Sequence, residues 1–511
     1  MVVRVYGAAV HGIDGVQIGV EVDLSNGLPA FDIVGLPDSA VREARERVRA
    51  AIKNSGFQFP MKRITVNLAP ADQRKEGSAL DLAIAVGILA ADGQIRSRIA
   101  FDEALLIGEL ALDGSLKAVR GTLAMGLLAK AHGHAFIVVP EQSRREAALV
   151  GHPAYLAPRL ADVVRYFEAP HALPLLSLEA DDGVGTTSVD FADVVGQPTA
   201  KRALWIAAAG FHHALLIGPP GSGKTMLAAR VPSIMPPLDE GESLEVTKIY
   251  DAAGVSGQPA DGGLMSVRPF RAPHHTITVS GLIGGGNPPR PGEATLAHHG
   301  VLFLDELPEF SRRALEVLRQ PLESGAVWLG RSRGSVVFPA KFLFIGSMNP
   351  CPCGFYGFED AAHRCVCGTA DIHRYRRKIS GPIADRIDLI VDVPRVSATA
   401  FLGDSADGAL TSAAMREAVL IAVERQRHRF RDTGIRFNAE MDARLLRTHV
   451  ALRASARRLL EHALENGGLS ARGASRVLKV ARTIADLDDG AEVRDEHLAE
   501  ALAFRDYEWT S

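Results

Sequence analysis

Residues 218–225 read Gly218-Pro219-Pro220-Gly221-Ser222-Gly223-Lys224-Thr225 and satisfy the pattern G-x-x-x-x-G-K-[ST]. The chemistry these residue types suit is phosphate binding. Glycines let backbone N–H groups close around phosphate oxygens. A helix N-terminus adds its positive dipole end. A lysine at Lys224 can reach the β- and γ-phosphates, and the Thr225 hydroxyl can ligate Mg²⁺. Two carboxylates, Asp305 and Glu306, close the apolar run Val301-Leu-Phe-Leu. Asp305 suits Mg²⁺, and Glu306 suits polarising an attacking water. Paired acids after a strand often only cap a helix, but the phosphate loop upstream favours catalysis. Asn349 ends a second apolar run, Phe342-Leu-Phe-Ile-Gly-Ser-Met. Its amide could orient the water, or it could simply form the turn before Pro350.

All four cysteines fall in one short loop, as the pairs Cys351-Pro-Cys353 and Cys365-Val-Cys367 with eleven residues between. Four thiolates match a closed tetrahedral Zn²⁺ site, although C-x-x-C is the usual spacing. Redox-sensitive thiols and packing cysteines are the alternatives. Between residues 323 and 342, Val327-Trp-Leu-Gly-Arg331-Ser-Arg333-Gly-Ser-Val-Val-Phe338 reads as two strands around a polar turn. Arg331 and Arg333 in that turn would offer a polymer local positive charge. Arg268, Arg271, His274 and His275 are further candidates for polymer contact, or else they stabilise interfaces.

These residues need elements to position them. Ala214–Ile217 reads as an apolar strand before the phosphate loop, and Met226–Arg230 begins a helix after it. From Val189 to about Ala398, apolar strands alternate with helices, which suggests a parallel α/β sheet. Residues 399–511 read as helix throughout. Residues 1–167 mix strands and helices. Val16, Ile18, Val20 and Val22 recur at strand period, as do Ile64, Val66 and Leu68. Ser39–Ala51 reads as a helix capped by Asp38 or Ser39, and Ser78–Ala91 as a buried apolar helix. The proline-, glycine- and acid-rich stretch 168–188 reads as a linker.

Composition bounds the function. The chain has 511 residues, enough for about two to four domains. Lysine plus arginine number 57 against 60 acidic residues, so no global positive charge advertises nucleic acid. Contact with DNA must be local. No signal peptide or membrane-length apolar run occurs, and clustered cysteines fit a reducing compartment, so a cytoplasmic location is expected.

The phosphate loop, Leu304-Asp305-Glu306 and Asn349 stand in the order of AAA+ ATPases. Arg268-Pro-Phe-Arg-Ala-Pro-His-His275, Gly284-Gly-Gly-Asn-Pro-Pro-Arg-Pro-Gly-Glu293 and Ile383-Ala-Asp-Arg386-Ile-Asp388 narrow the resemblance. The chain closely resembles the ComM/YifB group of magnesium-chelatase-like AAA+ ATPases over essentially its whole length. The resemblance implies a Lon-protease-like α+β domain, an α/β ATPase core with a parallel sheet, and a C-terminal helical lid. It also implies a hexameric ring that binds ATP and Mg²⁺ and drives branch migration of single-stranded or branched DNA. In bacteria that activity serves integration of incoming DNA in natural transformation. A magnesium-chelatase-like remodelling ATPase is the alternative.

By position, Asn349 matches the first sensor and Arg386 the arginine finger that completes a neighbour's site. Arg386 could instead pair with Asp385 or Asp388. Arg472, or Arg476 one turn later, matches the second sensor. Residues around Ser78 resemble the Lon nucleophile segment, and 108–121 the strand and turn that follow. Where the Lon pattern has its lysine base, this chain reads Thr122-Leu123, with Lys117 too early and Lys130 too late. A protease-like fold without peptidase activity is therefore expected.

Overall fold

A computed structural model describes residues 2–72, 74–169, 175–176, 189–255, 263–331, 334–359, 363–396, 410–466 and 469–505. The chain divides into two compact units. The first holds residues 1–184, 243–265 and 286–291, and the second holds 185–242, 266–285 and 292–511. Most of the expected linker, 168–188, lies outside the described residues. Among the described residues, no helix is long and apolar enough to cross a membrane.

The first unit is built on seven strands. They are β1 (Val3–His11), β2 (Asp14–Ser25), β3 (Ala30–Val34), β4 (Arg63–Ala69), β5 (Ala104–Leu106), β8 (Phe136–Pro140) and β9 (Ala154–Ala157), in the order β3-β4-β2-β1-β5-β8-β9. A separate antiparallel pair is formed by β6 (Glu109–Leu110) and β7 (Leu116–Lys117). Strand-period residues Ile18, Val20, Val22, Ile64, Val66 and Leu68 all face the core. Helix Ser39–Asn54 covers part of the sheet, its N-terminus capped by the Asp38 carboxylate on the Val41 N–H at 2.8 Å. The apolar helix starts at Asp81, not Ser78, and runs to Ala91. Gly77 (φ 85°) turns the chain, and Ser78 commits its hydroxyl to Glu109, so residues 78–80 form a turn. Residues Asp81 to Leu89 are all buried, which is why this helix shows no polar face.

The second unit holds a five-stranded parallel sheet of β10 (Ala214–Ile217), β11 (Phe270–Arg271), β12 (Val301–Leu304), β15 (Leu343–Met348) and β16 (Leu389–Asp392), ordered β11-β12-β15-β10-β16. Strands β10, β12 and β15 are buried throughout, which accounts for their unbroken apolar runs. A two-stranded hairpin, β13 (Ala326–Arg331) and β14 (Gly334–Pro339), precedes β15. Helix Ser412–Phe430 begins at a Thr411 cap and ends with Arg427, His428 and Arg429 in its last turn, complementing the dipole. This helix and Ala471–Leu487 share one apolar core with the sheet, joining Met415, Val419, Val480 and Ile484 to Leu216, Phe303 and Ile345. Strand β10 has β15 on one side and β16 on the other. The crevice beyond such a switch point, at the strands' C-terminal ends, is where ligands bind in open α/β sheets.

Candidate active site

The phosphate loop fills that crevice. After β10 the chain turns through Gly221 (φ 77°) and Gly223 (φ 90°), conformations that favour glycine. It then enters helix Lys224–Ile234, whose first N–H groups face the loop. Lys224 is buried, and its ammonium donates to the carbonyls of Gly218 (2.7 Å) and Pro219 (3.0 Å) and to the Asn349 amide oxygen (3.3 Å). Burial pushes its pKa down to about 8, against the opposing pull of Asp305 and Glu306. The Ser222 hydroxyl is buried without a hydrogen-bond partner among the described residues. A cationic group turned back on its own loop and an orphaned hydroxyl both fit an anion that would reclaim them.

Strand β12 delivers the two carboxylates. The Thr225 hydroxyl donates to Asp305 Oδ2 at 2.7 Å, so two hard oxygen donors meet where Mg²⁺ would be held. Ser347, on neighbouring β15, donates to Asp305 Oδ1. Glu306 is exposed and holds a left-handed backbone (φ 53°), stabilised by its N–H bonding Asp305 Oδ1 at 3.0 Å. A non-glycine residue kept in that region often marks a functional position. Its carboxylate lies 3.6 Å from His275 Nδ1. Lys224, Thr225, Asp305, Glu306 and Asn349 thus converge. Ser347 was not among the residues singled out in the sequence, because only strand adjacency brings it to Asp305.

Arg386 stands apart from this group. It pairs with Glu323, and not with Asp385 or Asp388, and donates to the Pro382 carbonyl at 2.6 Å. Arg476 pairs with the buried Asp388. Asp388 also accepts the His213 N–H at 3.0 Å. Burial opposes ionisation there, but Arg476, His212 and His213 outweigh it and hold the carboxyl far below its usual range. Arg472 is exposed one turn earlier on the same helix.

The insert arginines are both ion-paired. Arg268 is buried and bonds Glu242 at 2.9 Å and the carbonyls of Pro236, Pro237 and His299. Arg271 clasps Glu293 through two bonds of 2.6 and 2.8 Å. Burial withholds Arg268 from a polymer, whereas Arg271 stays partly exposed beside Glu293. His274 is exposed and His275 half-buried.

The four cysteines converge, their sulfurs all within 4.8 Å of one another. Cys351–Cys365 and Cys353–Cys365 sulfurs stand 3.7 and 3.6 Å apart. The edge of a tetrahedron with Zn–S bonds of about 2.3 Å is about 3.8 Å, so the donor set fits zinc. In the hairpin, Val327, Val336 and Phe338 are buried, whereas Trp328 and its cross-strand partner Val337 are exposed. The turn residue Arg333 lies outside the described residues, and Arg331 closes β13.

In the first unit, Ser78 donates to Glu109. Thr122 is buried and donates to the Val119 carbonyl at 2.8 Å, Leu123 is buried, and Lys117 and Lys130 are exposed. Lys75, which the sequence reading passed over, is fully buried and donates to the Pro70 carbonyl.

Three family models match. The one described as magnesium chelatase, subunit ChlI covers residues 190–401, subunit ChlI of Mg-chelatase covers 20–143, and the ChlI C-terminal model covers 409–505. An uncharacterized protein YifB of Salmonella typhimurium is 42% identical over 501 residues, 98% of this chain and 96% of its own. Competence protein ComM of Haemophilus influenzae is 41% identical over 506 residues, 98% and 97% of the two chains. Lon protease 2 of Bacillus subtilis is 31% identical over 149 residues, 27% of this chain and 26% of its own.

Proposed function

The chain belongs to the ComM/YifB family of magnesium-chelatase-like AAA+ ATPases, and from that premise we propose that it is a ring-forming DNA motor. Its activity would be branch migration that supports integration of incoming DNA in natural transformation, the setting that a relative's name as a competence protein suggests.

In the proposed hydrolysis, the phosphate-loop N–H groups and Lys224 bind the β- and γ-phosphates. Thr225 and Asp305 hold Mg²⁺, which would neutralise developing charge. Glu306 accepts a proton from water as its oxygen attacks the γ-phosphorus and the bond to the ADP oxygen breaks. Asn349 orients that water. Arg386 of a neighbouring subunit supplies fixed positive charge, and Arg472 is the second sensor. The four cysteines hold a structural Zn²⁺. The first unit keeps a protease-like fold without peptidase activity, a reading supported by the buried Thr122 and Leu123 where the base would stand.

The observation that carries the DNA reading is the hairpin before β15. It exposes Trp328 on the strand that leads to Arg331 and Arg333. An exposed aromatic plane with arginines three and five residues further along the sequence suits stacked bases and a phosphate backbone. Branched DNA should accelerate ATP turnover. Trp328→Ala should weaken DNA binding by about 1–3 kcal/mol, and Arg331→Ala with Arg333→Ala should flatten its salt dependence. Unchanged DNA binding in both variants would refute the hairpin's role. The chelatase family models favour a second reading, remodelling of a protein or metallocofactor complex, which turnover indifferent to DNA would support.

A further inference from the structure

The cysteine loop bears on the phosphate loop. Gly354 follows Cys353, is buried and has φ 90°. A Cβ at this position would stand 2.6 Å from Pro220 Cδ and 3.0 Å from Pro220 Cγ, with Asn349 Cγ at 3.9 Å. Glycine alone allows the thiol loop to seat against the phosphate loop this closely.

Arg395 makes a second tie. It donates to the Pro220 carbonyl at 3.3 Å and to the His363 ring at 3.0 Å. Its guanidinium lies over the Phe355 ring, 5.3 Å from the centroid, and Phe355 stacks on His363 at 4.8 Å. Phe355 lies two residues after Cys353, and His363 two residues before Cys365. Both arms of the loop are therefore joined at the sulfurs and again at Arg395; the Cys353 arm meets Pro220 through Gly354, and the His363 arm reaches it through Arg395.

Backbone N–H groups already serve the sulfurs. Tyr356 N–H donates to Cys351 Sγ and Cys353 N–H to Cys367 Sγ, each at 3.4 Å. Such bonds orient thiolates for a metal. Sulfur contacts of 3.3–3.7 Å also run between the thiols, and a bound metal would turn these into strong bonds.

We propose that a borderline-soft divalent cation such as Zn²⁺, bound by the four cysteines, braces the phosphate loop through Gly354 and Arg395, so that nucleotide affinity depends on metal occupancy. This rests on the zinc reading above and is independent of DNA. The metal takes no part in hydrolysis. Its work is to fix the position of Pro220 and, through Asn349-Pro350-Cys351, the end of β15.

The experiment uses full-length protein. Zinc is measured by elemental analysis, and binding of a fluorescent ADP analogue is followed before stripping, after a thiol-directed mercurial with chelator and reduction, and after zinc is returned. One zinc per chain is expected, with affinity at least tenfold weaker after stripping and recovered on reloading. Gly354→Ala guards against simple unfolding of the stripped protein. It should keep its zinc and its circular dichroism while binding nucleotide at least threefold more weakly. One zinc per chain in the protein as purified, with affinity unchanged both after stripping and in Gly354→Ala, would overturn the bracing and leave the metal site standing. Absence of zinc from protein purified without chelators would overturn both.

Discussion

Lys224 donates to its own loop's carbonyls and to the Asn349 amide oxygen. Burial lowers its pKa to about 8. A phosphate beside it would raise that value, so binding of ATP takes up a proton above pH 8 and affinity falls as pH rises through that window. Calorimetry in buffers of different ionisation enthalpy should show this uptake in wild type, and buffer-independent heats at pH 8.5 would contradict it. Glu306 is held near His275. His275→Ala should free the carboxylate and raise basal hydrolysis by about threefold, less than 1 kcal/mol of barrier. A fall in rate would assign His275 a supporting role instead. The pairs Lys224-Thr225 and Asp305-Glu306 were each legible in the sequence because each pattern is local and consecutive, and their meeting was expected from the order of the motifs along the chain. Ser347 was not, since its bond to Asp305 depends on β12 and β15 lying side by side. Arg268 was open to misreading for the same reason: its partner Glu242 is distant in sequence, and an unpaired guanidinium looks available until its partner is known.

At the scale of elements, strand and helix periods were readable wherever one face is buried, as at Ile18, Val20 and Val22 or in the Asp38-capped helix. The start of the Asp81 helix was less so, because a wholly buried segment has no polar face to mark where the turn ends. Helix Thr122–His132 holds a feature with no local signature. Its N-terminal region is met by Asp251, whose carboxylate accepts N–H bonds from Gly121 (3.2 Å) and Leu123 (2.8 Å). Burial raises the Asp251 pKa to about 6, against those two bonds. A carboxyl raised on folding stabilises fully below its unfolded pKa, and that stabilisation is lost as pH rises through the folded value. The stability advantage of wild type over Asp251→Ala should therefore narrow between pH 4 and pH 7, by on the order of 2 kcal/mol. A gap that widens over that range in thermal melts would contradict the assignment.

For the molecule as a whole, near-balanced charge would confine the proposed DNA contact to local features, and within a single chain Arg386 pairs with Glu323. If Arg386 completes a neighbour's site, Arg386→Ala and Lys224→Ala should each be inactive, yet a co-assembled mixture should regain part of the turnover. A mixture as inactive as its components would remove Arg386 from the reaction. Such a division of labour is expected through resemblance alone, because no spacing within one chain encodes contact with a second. The most direct test of the central claim is steady-state ATP turnover by wild type and Glu306→Gln, with and without branched DNA. Wild-type turnover should rise with DNA, and the variant should be slower by about 10²–10⁴-fold in both conditions. Turnover that is real but indifferent to every DNA supplied would contradict the DNA motor and turn attention to a protein or metallocofactor substrate.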